Sequence, residues 1–229
     1  MIRIENENVH GWEAAVRAMR NSHDSWDKSD SEFGISCDIC DNPNYDCGDC
    51  PVEFYDDKSL IGPNDLDLMK RLAKAGDDES KFMRFIDVTM DITAPLYWWK
   101  QFDQYKVGTV SSSTSTMHGI HKKEFKLDDF SCEHLFDDES NMAIFKSSLC
   151  RTIADLNTAR DLFLETKDKK YWWQMIQLLP ESYNQLRTIK LNYQVLRNIY
   201  HARKTHKLDE WKEFCKWIET LPYAKELIL

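Results

Sequence analysis

The sequence predicts an α+β fold with more helix than strand, because it contains one clear strand pattern and several helix patterns. Residues Ile86 to Thr93 (IDVTMDIT) alternate strictly between apolar and polar side chains, which is typical of a half-buried strand. The segments 10–20 and 139–166 instead repeat apolar residues every three or four positions, as amphipathic helices do. A chain of 229 residues can bury a substantial core, and we expect one domain over residues 1–229.

The composition excludes several classes of protein. Acidic residues outnumber basic residues by 39 to 30, so the net charge is −9 and we expect no nucleic-acid partner. No apolar run approaches the ~20 residues that a membrane helix needs, and the first residues lack the apolar core of a signal peptide. We therefore expect a cytoplasmic protein without a membrane partner. A small anion such as a nucleotide would need only a local basic pocket.

The N-terminal part of the chain is predicted to contain one strand and three helical segments. Residues 2–9 alternate loosely, as an edge strand does, and the helix over 10–20 follows. A second helix begins at Pro63 and ends at Gly76, and the short helical segment 78–85 (DESKFMRF) precedes the strand at Ile86. The apolar faces of the two longer helices consist of Trp12, Ala15, Val16 and Met19, and of Leu66, Met69 and Leu72.

Residues 32–58 form a predicted insertion that is rich in cysteine. Four cysteines have the spacing C-x2-C-x6-C-x2-C, which suits a tetrahedral zinc site: Cys37, Cys40, Cys47 and Cys50. Because the protein would then supply all four ligands, the zinc would be structural and not catalytic. The alternatives are a loop of reduced cysteines and a redox-sensitive pair, since a disulfide framework is unusual without a signal peptide.

The segment from Ala94 to His118 (APLYWWKQFDQYKVGTVSSSTSTMH) carries the most suggestive polar residues. An aromatic-rich helix begins near Pro95, and seven hydroxyl residues then lie between Thr109 and Thr116. Hydroxyl groups, backbone N–H groups and lysine all donate hydrogen bonds to phosphate oxygens, so this run could line a site for an anion. The alternative is a polar loop that caps a helix and faces water.

The C-terminal half is predicted to be mostly helical. A long helix covers 139–166, and a second helix from Lys169 to Leu178 stops before Pro180. Strand signals then change to helix signals near Asn192, and a closing helix ends near Pro222. The apolar stripe of the long helix consists of Met142, Phe145, Leu149, Ile153, Leu156, Ala159 and Phe163.

Two segments resemble the flavin-dependent thymidylate synthases. That family has the signature Gln-x-x-Arg-His-Arg-x-x-Ser-x-Asn-Glu-x-Ser-x-Arg after a strand and an Ala-Pro helix start, and Gln101 matches its glutamine. The later signature positions are occupied, in order, by Gln104, Tyr105, Lys106, Thr109, Ser111, Ser112, Thr114 and Thr116. The family's Leu-Pro … Asn-Ala-Arg-Ser-Leu … Leu-Arg segment is matched by Leu179, Pro180, Asn192, Leu196 and Arg203, with Gln194 at the inner arginine. The segment AVRAMRNS is similar to the family's first helix, which ends at a flavin-contacting serine, here Ser22.

This resemblance implies a fold, an activity and a set of site residues. The implied fold is helix-rich with a small antiparallel or mixed sheet, and the implied activity is the reductive methylation of dUMP with FAD, methylenetetrahydrofolate and NADPH in a homotetramer. The positions implied to bind the nucleotide are Gln101, Gln104, Ser112, Thr114, Thr116 and Arg203, of which Arg203 is also implied to be catalytic. The positions implied to bind FAD are Ser22, Tyr105, Lys106, Thr109, Asn192 and Gln194.

The departures from the family pattern mostly remove positive charge. Gln104, Thr116 and Gln194 replace arginines, and Lys106 retains its charge but lacks the bidentate fork of an arginine. Each charge-assisted hydrogen bond contributes about 1.5–3 kcal/mol, so three losses would weaken the binding of a dianion by several powers of ten. Three functions stay open: a divergent enzyme for a pyrimidine nucleotide, a protein that binds or sequesters a nucleotide without flavin chemistry, and a structural protein centred on the cysteine segment.

Overall fold

The computed structural model describes residues 2–34, 59–135 and 142–229, and this part of the chain confirms the predicted α+β class. The strands are β1 (Arg3–His10), β2 (Asp87–Pro95), β3 (Val110–Ser113) and β4 (Asn184–Asn192). The α-helices are α1 (Trp12–Ser22), α2 (Pro63–Ala75), α3 (Leu96–Phe102), α4 (Thr116–Gly119), α5 (Met142–Thr166), α6 (Lys169–Leu178), α7 (Tyr193–Arg203), α8 (Asp209–Ile218) and α9 (Ala224–Leu227). The strands form one antiparallel sheet in the order β1-β2-β4-β3, with β1 at an edge as predicted.

Strand β2 has the two-faced character that its sequence predicts. Its apolar side chains, Val88, Met90 and Ile92, are buried. The alternate polar side chains lie on the other face, where Asp87 Oδ2 forms an ion pair with Lys190 Nζ of β4 at 2.7 Å. Strand β2 therefore has one buried apolar face and one polar face, as its strict alternation requires.

Local sequence signals explain where several helices begin and end. Asn192 is the N-cap of α7, and its Oδ1 accepts a hydrogen bond from the backbone N–H of Val195 at 3.1 Å. Gly76, with φ of 122°, ends α2. The predicted stripe of α1 is fully buried, and the predicted span of α6 is confirmed to the residue.

Three sequence expectations differ from the structure. Leu68 is buried on α2 while the predicted Leu66 is only half-buried, so the buried face contains Leu68 together with Met69 and Leu72. Phe145 is 53% exposed, since α6, which packs along the 25-residue α5, is only ten residues long. The hydroxyl run contains the expected helix cap, since Ser115 Oγ accepts from the His118 N–H at 3.1 Å. It also contains strand β3, which is held through backbone groups, as in the bond from the Thr114 N–H to the Leu186 carbonyl at 2.9 Å.

The chain divides into two compact units. The first consists of the residues up to Ile4 together with Asp91–Gln104 and Ser111–Thr188. One apolar cluster in this unit joins α5, α6 and the segment before α5, and consists of Ile120, Phe125, Phe130, Leu149, Leu156, Ala159 and Met175. Trp98, Trp99 and Phe102 of α3 form a second, aromatic group with centroid distances of 4.8–5.3 Å.

The second unit consists of Glu5–Met90, Tyr105–Val110 and Ile189–Leu229. Helices α1, α2 and α7 all pack against the short 3-10 helix Ser80–Phe85. Trp12 of α1 lies edge-to-face against Tyr193 of α7, with ring centroids 5.5 Å apart. The expectation of a single domain over 1–229 stays a prediction.

The cysteine segment lies outside the described residues, except at its ends. Glu32 and Leu60 form an isolated antiparallel bridge with N–O distances of 2.8 and 2.9 Å, so the two ends of this segment are held together. Cys37, Cys40, Cys47 and Cys50 all lie in the part that is not described. Among the described residues no group of three or more metal-ligating side chains occurs. The structural zinc site therefore stays a prediction.

Candidate functional site

The segment Tyr105–Val110 lies along helix α7 in the second unit. A Cβ added to Gly108 would be 3.0 Å from Asn192 Nδ2 and 3.2 Å from Val195 Cγ2, so the loop backbone lies directly on the first turn of the helix. Gly108 also has φ of +80°, a conformation that costs any other residue type strain. A glycine at this position therefore allows the loop to approach the helix.

Tyr105, the first residue of this loop, contacts Arg203 at the other end of α7. The Nε–H of Arg203 donates a hydrogen bond to the Tyr105 hydroxyl oxygen at 2.8 Å. The Arg203 guanidinium carbon also lies 4.9 Å from the ring centroid of Trp211 and 5.6 Å from that of Tyr105. We refer to Arg203, Tyr105 and Trp211 as the Arg203 cluster.

The surroundings leave the charge of Arg203 unneutralised in the described part of the chain. There, its Nη1 and Nη2 groups make no hydrogen bond or ion pair with the protein. Burial, together with the charges of Arg203 and Lys207, lowers the pKa of nearby His206, so its imidazole is neutral at pH 7. The half-buried guanidinium is thus oriented by uncharged groups and keeps two donors for a ligand.

Two of the predicted flavin positions on α7 use their side chains inside the protein. Asn192 caps the helix through Oδ1. Gln194 is buried, and its Oε1 accepts from Ser80 Oγ at 3.0 Å while its Nε2 donates to Asp77 Oδ1 at 3.2 Å. A glutamine replaces the family arginine here and serves as an internal polar bridge between α7 and the segment 77–80.

The remaining flavin positions in the second unit differ in how they are used. Ser22 closes α1 by donating to the Met19 carbonyl at 2.8 Å. Lys106 is exposed and has no ion pair among the described residues. Thr109 Oγ1 is buried without a hydrogen-bond partner within that same part of the chain. Lys106 and Thr109 therefore each keep a polar group that has no bonding partner among the described residues. Both follow Tyr105 of the Arg203 cluster closely in sequence.

The other predicted nucleotide positions lie in the first unit. Gln101 is half-buried in the last turn of α3, and Gln104 is exposed just after that helix. Ser112 and Thr114 are exposed on and after β3, and Thr116 begins α4. The Thr114 carbonyl accepts a hydrogen bond from Gln185 Nε2 at 2.9 Å, which ties the hydroxyl run to β4.

Arg187, which is not among the predicted site positions, also lies in the first unit. Arg187 donates from Nε to Gln185 Oε1 at 3.0 Å and pairs through Nη1 with Asp103 Oδ1 at 2.8 Å. Its guanidinium lies 4.2 Å from the centroid of Trp99. In the sequence, the only feature that could have pointed to Arg187 is its place as an arginine inside an otherwise half-apolar strand. Trp211 lies on the apolar stripe of a helix, and nothing else in its local sequence indicates a site.

Comparison with solved structures identifies the fold. Two structures of the flavin-dependent thymidylate synthase ThyX from Helicobacter pylori, both described as complexes with FAD and dUMP, match this chain with TM-scores of 0.64 and 0.65. The alignments cover 99% and 100% of this chain and 97% of each ThyX chain, at 15% sequence identity. This chain has the ThyX-like fold. At that identity the likeness establishes the fold alone.

Searches by sequence add nothing to this finding. No family model and no curated protein matches the chain. None of the described helices is long and apolar enough to cross a membrane.

Proposed function

We propose that this chain binds a pyrimidine nucleotide, with Arg203 holding the phosphate. One observation carries the proposal: the Arg203 guanidinium is held by Tyr105 and Trp211 through uncharged contacts, and its two terminal nitrogens are unbonded in the described part of the chain. Arginine binds phosphate oxygens through two parallel N–H groups, and the terminal nitrogens provide that fork. The ThyX-like fold of the chain, whose solved examples carry dUMP, supports this assignment.

Lys106 is the second cation that we assign to the nucleotide. It lies one residue after Tyr105, is exposed, and makes no ion pair among the residues that the structure describes. A flexible ammonium group attracts a phosphate as a point charge without imposing a fixed geometry. Together, Arg203 and Lys106 offer two positive charges for a dianion.

The uncharged positions of the first unit that the family resemblance assigns to a nucleotide stay predictions. Amide and hydroxyl groups both donate and accept hydrogen bonds, which suits the carbonyl and N–H groups of a uracil ring and the hydroxyl of a sugar. These predicted positions are Gln101, Gln104, Ser112, Thr114 and Thr116.

Calorimetric titration with dUMP and with deoxyuridine tests the proposal. We expect dUMP to bind and Arg203→Gln to weaken it about tenfold to a hundredfold, since one charge-assisted hydrogen bond contributes about 1.5–3 kcal/mol. Arg71→Gln is the matched control, because Arg71 is exposed and, among the described residues, pairs only with Asp67 on the same helix. Equal affinities of the wild type and Arg203→Gln for dUMP, or no binding to either ligand, would reject the proposal.

A second candidate function is the flavin-dependent methylation of dUMP, as a divergent member of the thymidylate synthase family. The unused groups of Lys106 and Thr109 favour it, since both stand at positions implied to bind FAD. Ser22, Asn192 and Gln194 weigh against it, because their side chains are bonded within the protein. We therefore place nucleotide binding first and flavin chemistry second.

The absorbance spectrum of the purified protein separates these two functions. Flavin bands, or their appearance after incubation with FAD, followed by dUMP-dependent oxidation of the reduced flavin, would establish the enzyme. A colourless protein that binds dUMP and does not take up FAD would leave nucleotide binding alone. By the same resemblance we propose a cytoplasmic homotetramer, which light scattering of the purified protein would check.

A further inference from the structure

We infer that Tyr105 positions Arg203 for the phosphate, a role that differs from the flavin contact implied by resemblance. The inference rests on the proposed function only in its choice of ligand. Tyr105 stands where the family signature has a histidine, and its hydroxyl reaches the last residue of α7. Tyr105 is thus a positioning residue that acts through Arg203.

The hydrogen bond from Arg203 determines how the guanidinium plane is turned. A guanidinium group rotates about its Cδ–Nε bond unless Nε–H is held, and here Nε–H donates to the Tyr105 oxygen at 2.8 Å. With Nε held, the fork of Nη1 and Nη2 has a defined direction and can meet two phosphate oxygens at once. Fixing the donor before the ligand arrives lowers the entropic cost of binding.

The chemical nature of Tyr105 is as important as its position. A neutral phenol accepts the Nε–H bond without cancelling the positive charge, whereas a carboxylate would form an ion pair and neutralise it. The second contact of the guanidinium has the same property, because Trp211 is a fully buried aromatic ring 4.9 Å away. Both contacts orient Arg203 and leave its charge available.

The backbone of the loop determines where the Tyr105 hydroxyl can lie. Gly108 rests against Asn192 and Val195 at the start of α7, three residues after Tyr105. The ring of Tyr105 is also edge-to-face with that of Trp211, with centroids 6.1 Å apart. The tyrosine is therefore held from the backbone and from its ring, and its hydroxyl forms a preset acceptor for Arg203.

Tyr105→Phe tests this role, because it retains the ring and removes only the acceptor. We expect its affinity for dUMP to fall about threefold to tenfold, the range for one net hydrogen bond, while its affinity for deoxyuridine is unchanged. Tyr200→Phe is the matched control: Tyr200 is also on α7 and loses a hydroxyl bonded to Glu219 at 3.0 Å, so dUMP affinity should not change.

A spectroscopic measurement reports on Arg203 directly. In a protein with 15N-labelled arginine, the Nε–H resonance that disappears in Arg203→Lys belongs to Arg203, and Tyr105→Phe should shift it or speed its exchange with water. Tyr200→Phe should leave this resonance in place. An unmoved resonance in Tyr105→Phe, or an equal loss of dUMP and deoxyuridine affinity, would overturn the inference.

The two proposals can fail separately. If the wild type binds no dUMP, the proposed function is rejected, and the Nε–H resonance still decides whether Tyr105 orients Arg203. If dUMP binds and Tyr105→Phe changes neither its affinity nor the resonance, nucleotide binding stands and the positioning role is rejected.

Discussion

Two arginines of the second unit, Arg20 and Arg203, show how the partner of a guanidinium determines its use. Arg20 is 6% exposed and donates from Nε to the fully buried carboxylate of Asp65 at 2.6 Å. Arg203 donates from the same atom to a neutral tyrosine hydroxyl at 2.8 Å. The first charge is cancelled inside the protein, and the second is oriented without being cancelled. Arg20 is therefore structural, and Arg203 is the candidate for a ligand.

The surroundings of Asp65 strengthen this contrast. Its carboxylate accepts hydrogen bonds from the hydroxyl groups of Ser29 and Ser31 at 2.7 and 2.6 Å, besides the bond from Arg20. Asp30 in turn accepts from the backbone N–H groups of Asn64 and Asp65 at the start of α2. These bonds join α1, α2 and the segment between residues 29 and 31 into one polar brace.

Arg187 of the first unit lies between these two cases. Like Arg203 it lies over a tryptophan ring, but like Arg20 it pairs with a carboxylate, that of Asp103. Asp103 is about half exposed, so water weakens the pair and the charge of Arg187 is only partly cancelled. Among the described residues, the three arginines thus form a series from a fully paired to an unpaired guanidinium.

The largest expected effect comes from breaking the polar brace around Arg20 and Asp65. Asp65→Asn leaves a buried arginine without its carboxylate, so we expect the free energy of unfolding to fall by about 3–5 kcal/mol in urea denaturation. Asp67→Asn is the matched control on the same helix, since Asp67 is exposed and pairs with Arg71, and it should cost about 0.3–0.5 kcal/mol. Similar losses in the two variants would mean that the brace does not stabilise the fold.

Acid should weaken the same polar brace by protonating the Asp65 carboxylate. Burial alone would raise the pKa of Asp65, but hydrogen bonds from Ser31, Ser29 and Arg20 and the charge of Arg20 outweigh it and hold the pKa below its ordinary value of 3.8. The resulting stabilisation is complete above pH 3.8 and is lost as the pH falls through the lower folded pKa. Acid titrations of stability should be flatter below that pH in Asp65→Asn than in the wild type.

Replacing Gly108 should disturb the Arg203 cluster by a smaller amount. Gly108→Ala forces a left-handed conformation on alanine and brings its Cβ to 3.0 Å from Asn192, so we expect about 1–2 kcal/mol of destabilisation and weaker dUMP binding. Gly119→Ala is the control, because its added Cβ meets no atom within 4 Å. If both variants melt at the same temperature, the close approach of the loop to α7 has no energetic importance.

The smallest effect concerns the Arg187–Asp103 pair. Asp103→Asn removes the partner of Arg187, and since such an exposed pair contributes about 0.2–1 kcal/mol, the free energy of unfolding should fall by at most about 1 kcal/mol. The control is Asp161→Asn, which removes the exposed partner of Arg160 elsewhere in the same unit. A loss of stability in Asp161→Asn as large as that in Asp103→Asn would show that overall charge, and not the Arg187 pair, is responsible.

The secondary structure was largely predictable because its signals are local. The alternation over Ile86–Thr93, the stripe of α1 and the change from strand to helix near Asn192 each involve residues a few positions apart, and each is confirmed. Phe145 shows the limit of this reasoning, since helical periodicity gives a face of α5 but not the length of the helix that covers it.

The sequence by itself determined the fold class, the order of the main elements and the residues that could form a site, because propensity, capping and periodicity act over short stretches of chain. Only the tertiary structure decided which of those residues are available. Arg203 and Tyr105 are hydrogen-bonded although they are 98 positions apart in the sequence. Gln194 is bonded to residues more than 100 positions away. Whether a side chain is oriented, neutralised or buried depends on such long-range neighbours, which no local pattern specifies.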